Sequence, residues 1–163
     1  MFTKILVPLD GSRMSAKSLP YAIDVAKKFN AEIILLQVVE RVNPIIPTGS
    51  DVALAGSSYV IDIAVKAARI EEQKKLSHAR TYLRAKLKQL IADGIKASFN
   101  VSIGEPSETI LNYCRKNKVD LVVMTTSGKT GLKRAILGSV ADKIIRDPRF
   151  PVLVIRSRST RKK

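Results

Sequence analysis

Five short apolar runs, each followed or preceded by a segment with helical spacing, constrain this chain more than any other feature. The runs are Lys4-Ile5-Leu6-Val7-Pro8-Leu9, Ala31 to Val39, Lys96 to Ile103, Asp120 to Met124, and Pro151-Val152-Leu153-Val154-Ile155. Between them, apolar residues recur at steps of three and four, the spacing of one helical face. From Arg13 to Phe29 these are Ala16, Leu19, Ala22, Ile23, Ala26 and Phe29, with Pro20 as an irregularity expected to bend the first turns. A long helix is expected from Lys66 to Asp93, with Leu76, Ala79, Leu83, Leu87 and Leu90 inward and Gly94 at its end. Gly104-Glu105-Pro106-Ser107 opens another helix, with Pro106 where a missing N–H costs nothing. A last helix is expected from about Ser139 to Arg146. Strictly alternating strands and helices, joined by right-handed crossovers, imply an α/β fold: an open, parallel, five-stranded sheet with helices on both faces.

The remaining stretch, Glu40 to roughly Ala64, holds Pro44, Pro47, Gly49 and Gly56 and little charge. It is expected to be a long mobile loop, the natural moving part, or a surface packed on a partner subunit. At 163 residues the chain suits one domain, taken here as residues 1–156, followed by a basic tail over 157–163. Nothing approaches the ~20 apolar residues of a membrane helix. One cysteine, Cys114, precludes an internal disulfide and fits a reducing compartment, so a cytoplasmic location is expected. Twenty-nine Lys and Arg against 14 Asp and Glu give a net charge of +15, which attracts polyanions without choosing among them. Nucleic acid is the less favoured partner, because aromatics are 5% of the chain and stacking platforms are sparse.

Ligands in such sheets sit beyond the carboxyl ends of the strands, where strand order reverses. Three strand ends carry polar or flexible residues: Pro8-Leu9-Asp10-Gly11-Ser12, Gln37-Val38-Val39, and Met124-Thr125-Thr126-Ser127-Gly128. Gly128 and Gly131 allow close backbone approach, and Gly138-Ser139 opens a helix whose free N–H groups suit an anion. Lys129, Lys133 and Arg134 add charge, and Asp10 is a carboxylate suited to ribose hydroxyls. Two plainer roles stand beside these: Asp10 as the cap of a turn, and Gly138-Ser139 as an ordinary helix start. The loop matches neither the P-loop nor the G-x-G-x-x-G pattern. His78 reads as a surface residue and Cys114 as core, and no nucleophile–base pair for catalysis is evident, so an enzyme is not expected.

In this order, "KILVPLDGS", "AEIILLQVVE", "GEPSETIL", "DLVVMTTSGKTGLKRAILGSVADKIIR" and "PVLVI" make the chain resemble the universal stress protein family over nearly its whole length. The resemblance implies an adenine-nucleotide-alpha-hydrolase-like fold and homodimers paired through the last strand, Pro151 to Ile155. Its ATP-binding branch carries G-x2-G-x9-G-[ST]; here Gly128, Gly138 and Ser139 match, and Thr125 replaces the first glycine. By resemblance, Pro8, Leu9 and Asp10 line the adenosine side, and Val38 offers backbone groups to adenine. Met124, Thr125, Gly128 and Lys129 line the ribose and phosphates, and Gly138, Ser139, Val140 and Ala141 hold the phosphates. The implied ligand is ATP, with magnesium or manganese bridged by its phosphates, in a stress-response regulatory module with an unknown protein partner. Alternatives are a nucleotide-free dimer, a slow ATPase and a polyanion binder acting through the tail.

Overall fold

Alternating residues of the central strands face two separate cores, which is why their sequences are apolar without interruption. In the computed structural model, which describes residues 1–46, 57–126 and 138–156, strand β1 spans Lys4–Pro8. It is followed by α1 (Leu19–Phe29), β2 (Glu32–Val39), α2 (Ser57–Ala92), β3 (Ala97–Ile103), α3 (Pro106–Asn117), β4 (Leu121–Thr126), α4 (Ser139–Ile145) and β5 (Val152–Arg156). The strands form one parallel sheet in the order β3-β2-β1-β4-β5. Ile5, Val7, Ile33 and Leu35 pack under α1 and α2 with Ala22, Ala26, Leu83 and Leu90. Leu6, Ile34, Leu36 and Val122 pack on the other face with Ile110 and Cys114 of α3 and Ala141 and Ile144 of α4. Each fully buried Leu or Ile contributes about 1.5 to 3 kcal/mol relative to exposure, so the two faces together dominate the fold's stability. Among the described residues no helix is long and apolar enough to cross a membrane.

Three boundaries depart from expectation. Helix α1 begins at Leu19, not Arg13, and Ser15–Ser18 forms a separate 3₁₀ turn. Pro20 therefore lies in the first turn of α1, where its absent N–H breaks no helical bond, and bends nothing. The turn is held by the buried Ser18 hydroxyl, which donates to the Ser15 carbonyl at 2.6 Å. Helix α2 begins at Ser57, nine residues earlier than Lys66, so the last eight residues of the expected Glu40–Ala64 loop are helix. Residues 41–46 have no regular secondary structure, and 47–56 lie outside the described residues. The early turns of α2 give no core-facing periodicity because Tyr59, Ile61 and Ile63 are exposed rather than aligned on one buried stripe. Leu87 is half-buried, whereas Leu76, Ala79, Leu83 and Leu90 are buried as expected.

Strand β4 runs on to Thr126, two residues past Met124, with Thr125 paired to Ile155 and Thr126 to Arg156. β-Branched threonines suit these extended positions, Thr125 half-buried and Thr126 buried. Helix α3 starts as the sequence implies: Pro106 is in its first turn, and the Glu105 side chain caps it by accepting from the Glu108 amide at 2.7 Å. Gly94, with φ +74°, follows the end of α2.

Candidate functional site

The chain runs outward from β1 to β2 and β3, then crosses to the other side of β1 to lay down β4. The strand order thus reverses between β1 and β4, and a crevice opens beyond their carboxyl ends. A cavity of about 260 Å³ lies there. Pro8, Leu9 and Asp10 enter it from the end of β1, and Val38 from β2. Met124 and Thr125 come from β4, and Gly138, Ser139, Val140 and Ala141 from the start of α4. These ten converge on one cavity; Gly128 and Lys129, expected beside them, lie outside the described residues, as do Gly131, Lys133 and Arg134.

Local bonding explains how each wall is held. Pro8 ends β1, and the Leu9 amide still reaches across to the Leu36 carbonyl at 2.8 Å. That contact buries the Leu9 side chain and leaves Asp10 exposed at the cavity mouth. The Asp10 carboxylate accepts from the Ser12 amide at 2.9 Å, and the Asp10 amide donates to the Ser15 hydroxyl at 3.3 Å. Partial burial pushes the Asp10 pKa up, but hydrogen bonds from the Ser12 and Ser15 side chains and the Ser12 amide outweigh it. The net direction is downward, so Asp10 is a carboxylate at neutral pH. Asp10 thus caps its turn, the plainer of its two expected roles, and its residue also lines the cavity.

Across the crevice, Gly138 is the N-cap of α4, with φ −58°, ψ 150° and no side-chain cap. Its carbonyl accepts from the Asp142 amide at 2.9 Å, which starts the helix. The first amides of a helix have no intrahelical partner, so this wall presents donors. Ser139 is exposed and Ala141 buried. Met124 is buried beneath the opening, and Thr125 is half-buried beside it.

Ser15, Leu36, Pro106 and Ile110 also line the cavity. Ser15 could have been found from its place five residues after Asp10, where a hydroxyl meets the turn it caps. Pro106 and Ile110 come from α3, beyond the carboxyl end of β3, a strand end signalled by Gly104-Glu105-Pro106-Ser107. The neighbouring Glu105 carboxylate is committed to the Ser107 hydroxyl and the Glu108 amide, with Lys143 Nζ at 3.5 Å. These donors hold its pKa down to about 2, the Glu108 amide first among them. Tyr82 of α2 lies near enough to Asp10 that this charge adds to the rise that burial gives its phenol.

His78 is exposed on α2. Cys114 is buried, and burial, with the Asp147 charge, pushes its thiol up to about 12. No group of three or more His, Cys, Asp or Glu side chains fit for a metal occurs among the described residues. The arrangement is therefore a cradle of backbone donors facing one ionised carboxylate over an apolar floor, suited to a ligand with an anionic end and a hydroxylated, partly apolar body.

The family model described as the universal stress protein family matches residues 1–156. The chain is 35% identical over 156 residues to universal stress protein MJ0531 of Methanocaldococcus jannaschii, covering 96% of this chain and 83% of that one. It is likewise 35% identical over 156 residues to universal stress protein YxiE of Bacillus subtilis, covering 96% and 100%. The solved structure of the hypothetical protein MJ0577 superposes with a TM-score of 0.75 at 25% identity, covering 98% of this chain and 99% of that one. With the family model matching residues 1–156 and relatives 35% identical over 156 residues, the chain belongs to the universal stress protein family.

Proposed function

We propose that the crevice between β1 and β4 binds an adenine nucleotide, ATP, and that the chain works as a homodimeric regulatory module of the stress response in the cytoplasm. One observation carries this reading: side chains and backbone from five elements, β1, β2, α3, β4 and α4, distant in sequence, converge on a single cavity. Solved universal stress proteins in complex with cAMP and with AMP bound, the latter from Arabidopsis thaliana, share the fold at TM-scores of 0.56 and 0.61. Their identities of 18% and 14% carry the fold, and their ligands lend support to the reading here.

In this reading Asp10 accepts from the ribose hydroxyls, and Pro8 and Leu9 flank the adenosine. Val38 offers its backbone to the adenine edge. Met124 and Thr125 lie beneath the ribose, with Gly128 and Lys129 completing that side. Gly138, Ser139, Val140 and Ala141 bring amides and a hydroxyl to the phosphates, favoured by the helix dipole. Asp10 is the one carboxylate lining the cavity among the described residues, so magnesium or manganese would be held chiefly by the phosphates. When bound, such an ion offsets phosphate charge; the protein supplies orientation. Among the described residues Asp10 is the one titratable side chain lining the cavity, and its carboxylate already accepts from the Ser12 amide, so this reading is one of binding rather than turnover.

Residues 1–156 form the binding unit and 157–163 a basic tail. β5 is an edge strand of the sheet, and pairing it with its copy would remove an open edge. Nucleotide binding then acts by favouring one conformation of the dimer over another, which requires unequal affinity for the two. The test is to denature freshly purified protein and identify what it releases by mass spectrometry. Release of ATP or another adenine nucleotide, reduced in Asp10→Ala, supports the reading. Protein that carries nothing and takes up no ATP on incubation refutes it.

A further inference from the structure

We propose that the solvent side of α2 docks on an anionic lipid surface. The helix has 36 residues and is about 54 Å long. Its core-facing stripe is accounted for by Leu76, Ala79, Leu83 and Leu90, all buried. The opposite stripe is also apolar over its first turns. Tyr59, Ile63, Ala67 and Ile70 follow one another at steps of four, four and three, which places them on one outward line. Tyr59 is 69%, Ile63 50% and Ile70 57% exposed. A helix that shows large apolar side chains away from its own core has an unmet hydrophobic surface.

The charges along the same line name the partner. Lys66, Lys74, Arg84 and Lys88 recur on it, all exposed, and none is in an ion pair among the described residues. Of the acids of α2, Glu72 lies on another face, while Asp62, four residues before Lys66, and Glu71, paired with Lys75 at 2.9 Å, border the line. The centre of the stripe is thus apolar and cationic with acids only at its edges, within a chain of net charge +15. A second copy fits poorly, because two-fold pairing of the apolar turns would leave Arg84 and Lys88, further along the helix, without a partner. A nucleic acid would leave the isoleucines unused. An anionic bilayer uses both: Ile63, Ile70 and the Tyr59 ring enter the headgroup boundary, while the lysines lie over them and reach lipid phosphates. Each basic residue near such a surface contributes about 1 kcal/mol, enough with the apolar contacts for reversible peripheral binding.

The chain has no Trp, so Tyr59→Trp installs a single fluorescent reporter. Full-length protein is mixed with vesicles of equal parts phosphatidylglycerol and phosphatidylcholine, with pure phosphatidylcholine as control. Binding by co-sedimentation to the anionic vesicles alone, weakened by salt, is expected, with a blue shift of the reporter's indole emission. The double variant Ile63→Ser/Ile70→Ser, with circular dichroism and melting unchanged, is expected to lose about tenfold or more in partitioning. If that variant unfolds, Lys66→Gln/Lys74→Gln is expected to weaken binding in its place. Deleting residues 157–163 is expected to leave most of the binding. No vesicle binding, an unshifted indole emission, or loss that follows the tail instead of α2 overturns the proposal. Capture by poly-glutamate with vesicles ignored also overturns it, and assigns the face to an acidic protein.

Discussion

The carboxylate of Asp120, at the entry to β4, ties down Thr3 at the entry to β1, 117 residues away in the chain. It accepts from the Thr3 amide at 2.7 Å, the Thr3 hydroxyl at 2.5 Å and the Lys4 amide at 2.9 Å. β1 and β4 are the two strands that flank the crevice, and their direct pairing is short, Ile5 with Leu121 and Leu6 with Val122. Asp120 therefore holds the crevice walls in register from the opposite end of the sheet. Replacing it by Ala is expected to cost about 1.5 to 3 kcal/mol, the range for hydrogen bonds to a charged group. The Thr3 hydroxyl chiefly lowers the Asp120 pKa, against a smaller rise from burial. A carboxylate with a lowered folded pKa contributes its full stability above the unfolded value, near ~4, and loses it as pH falls through the folded value. The urea midpoints of wild type and Asp120→Ala should therefore differ at pH 7 and converge toward pH 2. A constant difference would mean that packing, not the charge, holds the joint.

Glu105 makes a second acid-sensitive joint. Its side chain caps α3, which supplies Pro106 and Ile110 to the cavity, and Lys143 of α4 approaches the same carboxylate. The expected loss for Glu105→Ala is about 1 kcal/mol, typical of an N-cap. With its pKa held down to about 2, the contribution is complete above pH 4.5 and disappears only below that as pH approaches 2. Thermal melts of both proteins across pH 2 to 7 check this; a difference that grows on acidification has the wrong sign.

Gly104 joins β3 to the turn before α3 with φ +152°, and its amide donates to the Val39 carbonyl at 3.0 Å. A Cβ there would stand 2.5 Å from Thr109 Oγ1. Gly104→Ala is expected to destabilise by about 1 to 3 kcal/mol, part from contact and part from backbone strain. Thr109→Ala removes the contact but not the strain, so the double variant should recover part of the loss in denaturant unfolding. Full recovery would assign all of it to the clash; no recovery would remove the clash from the account.

Cys114 sits in the core under α3 with its thiol pushed up to about 12. Native protein should resist a thiol reagent at pH 8, and denatured protein should react with one equivalent. Rapid labelling of native protein would show that the α3 core opens readily.

The fold was legible because Ile5, Leu6, Ile33 and Ile34 must be apolar on both sides of a covered sheet, and short apolar runs between helical segments have few other solutions. The helix starts were less legible. Pro20 is compatible with a bent helix or with a helix that begins just before it, and burial of Ser18 decides for the second. The first turns of α2 were hidden because Tyr59 and Ile63 are exposed and join no core among the described residues. At the crevice, polar strand ends pointed to Asp10 and Thr125, and the start of the last helix to Gly138; the three meet in one cavity. Pro106 and Ile110 were missed because a wall contributed by α3 depends on how that helix lies over the sheet, which spacing along the chain does not encode.

β5 offers a check on assembly. Val154 is half-buried on an edge strand, in register with Met124 of β4. If copies pair through β5, light scattering should give the mass of two chains for wild type and of one for Val154→Lys. A wild-type monomer would contradict the proposed dimer.

Calorimetric titration of ATP at low salt, in wild type and Gly138→Asp, tests nucleotide binding most directly. Aspartate is a favoured N-cap, so α4 should still form, but its charge would face the phosphates. The account predicts saturable binding by wild type and a loss of about tenfold or more in Gly138→Asp, the scale of one well-placed charge. No saturable heat with wild type, or equal affinity in the two proteins, would contradict it.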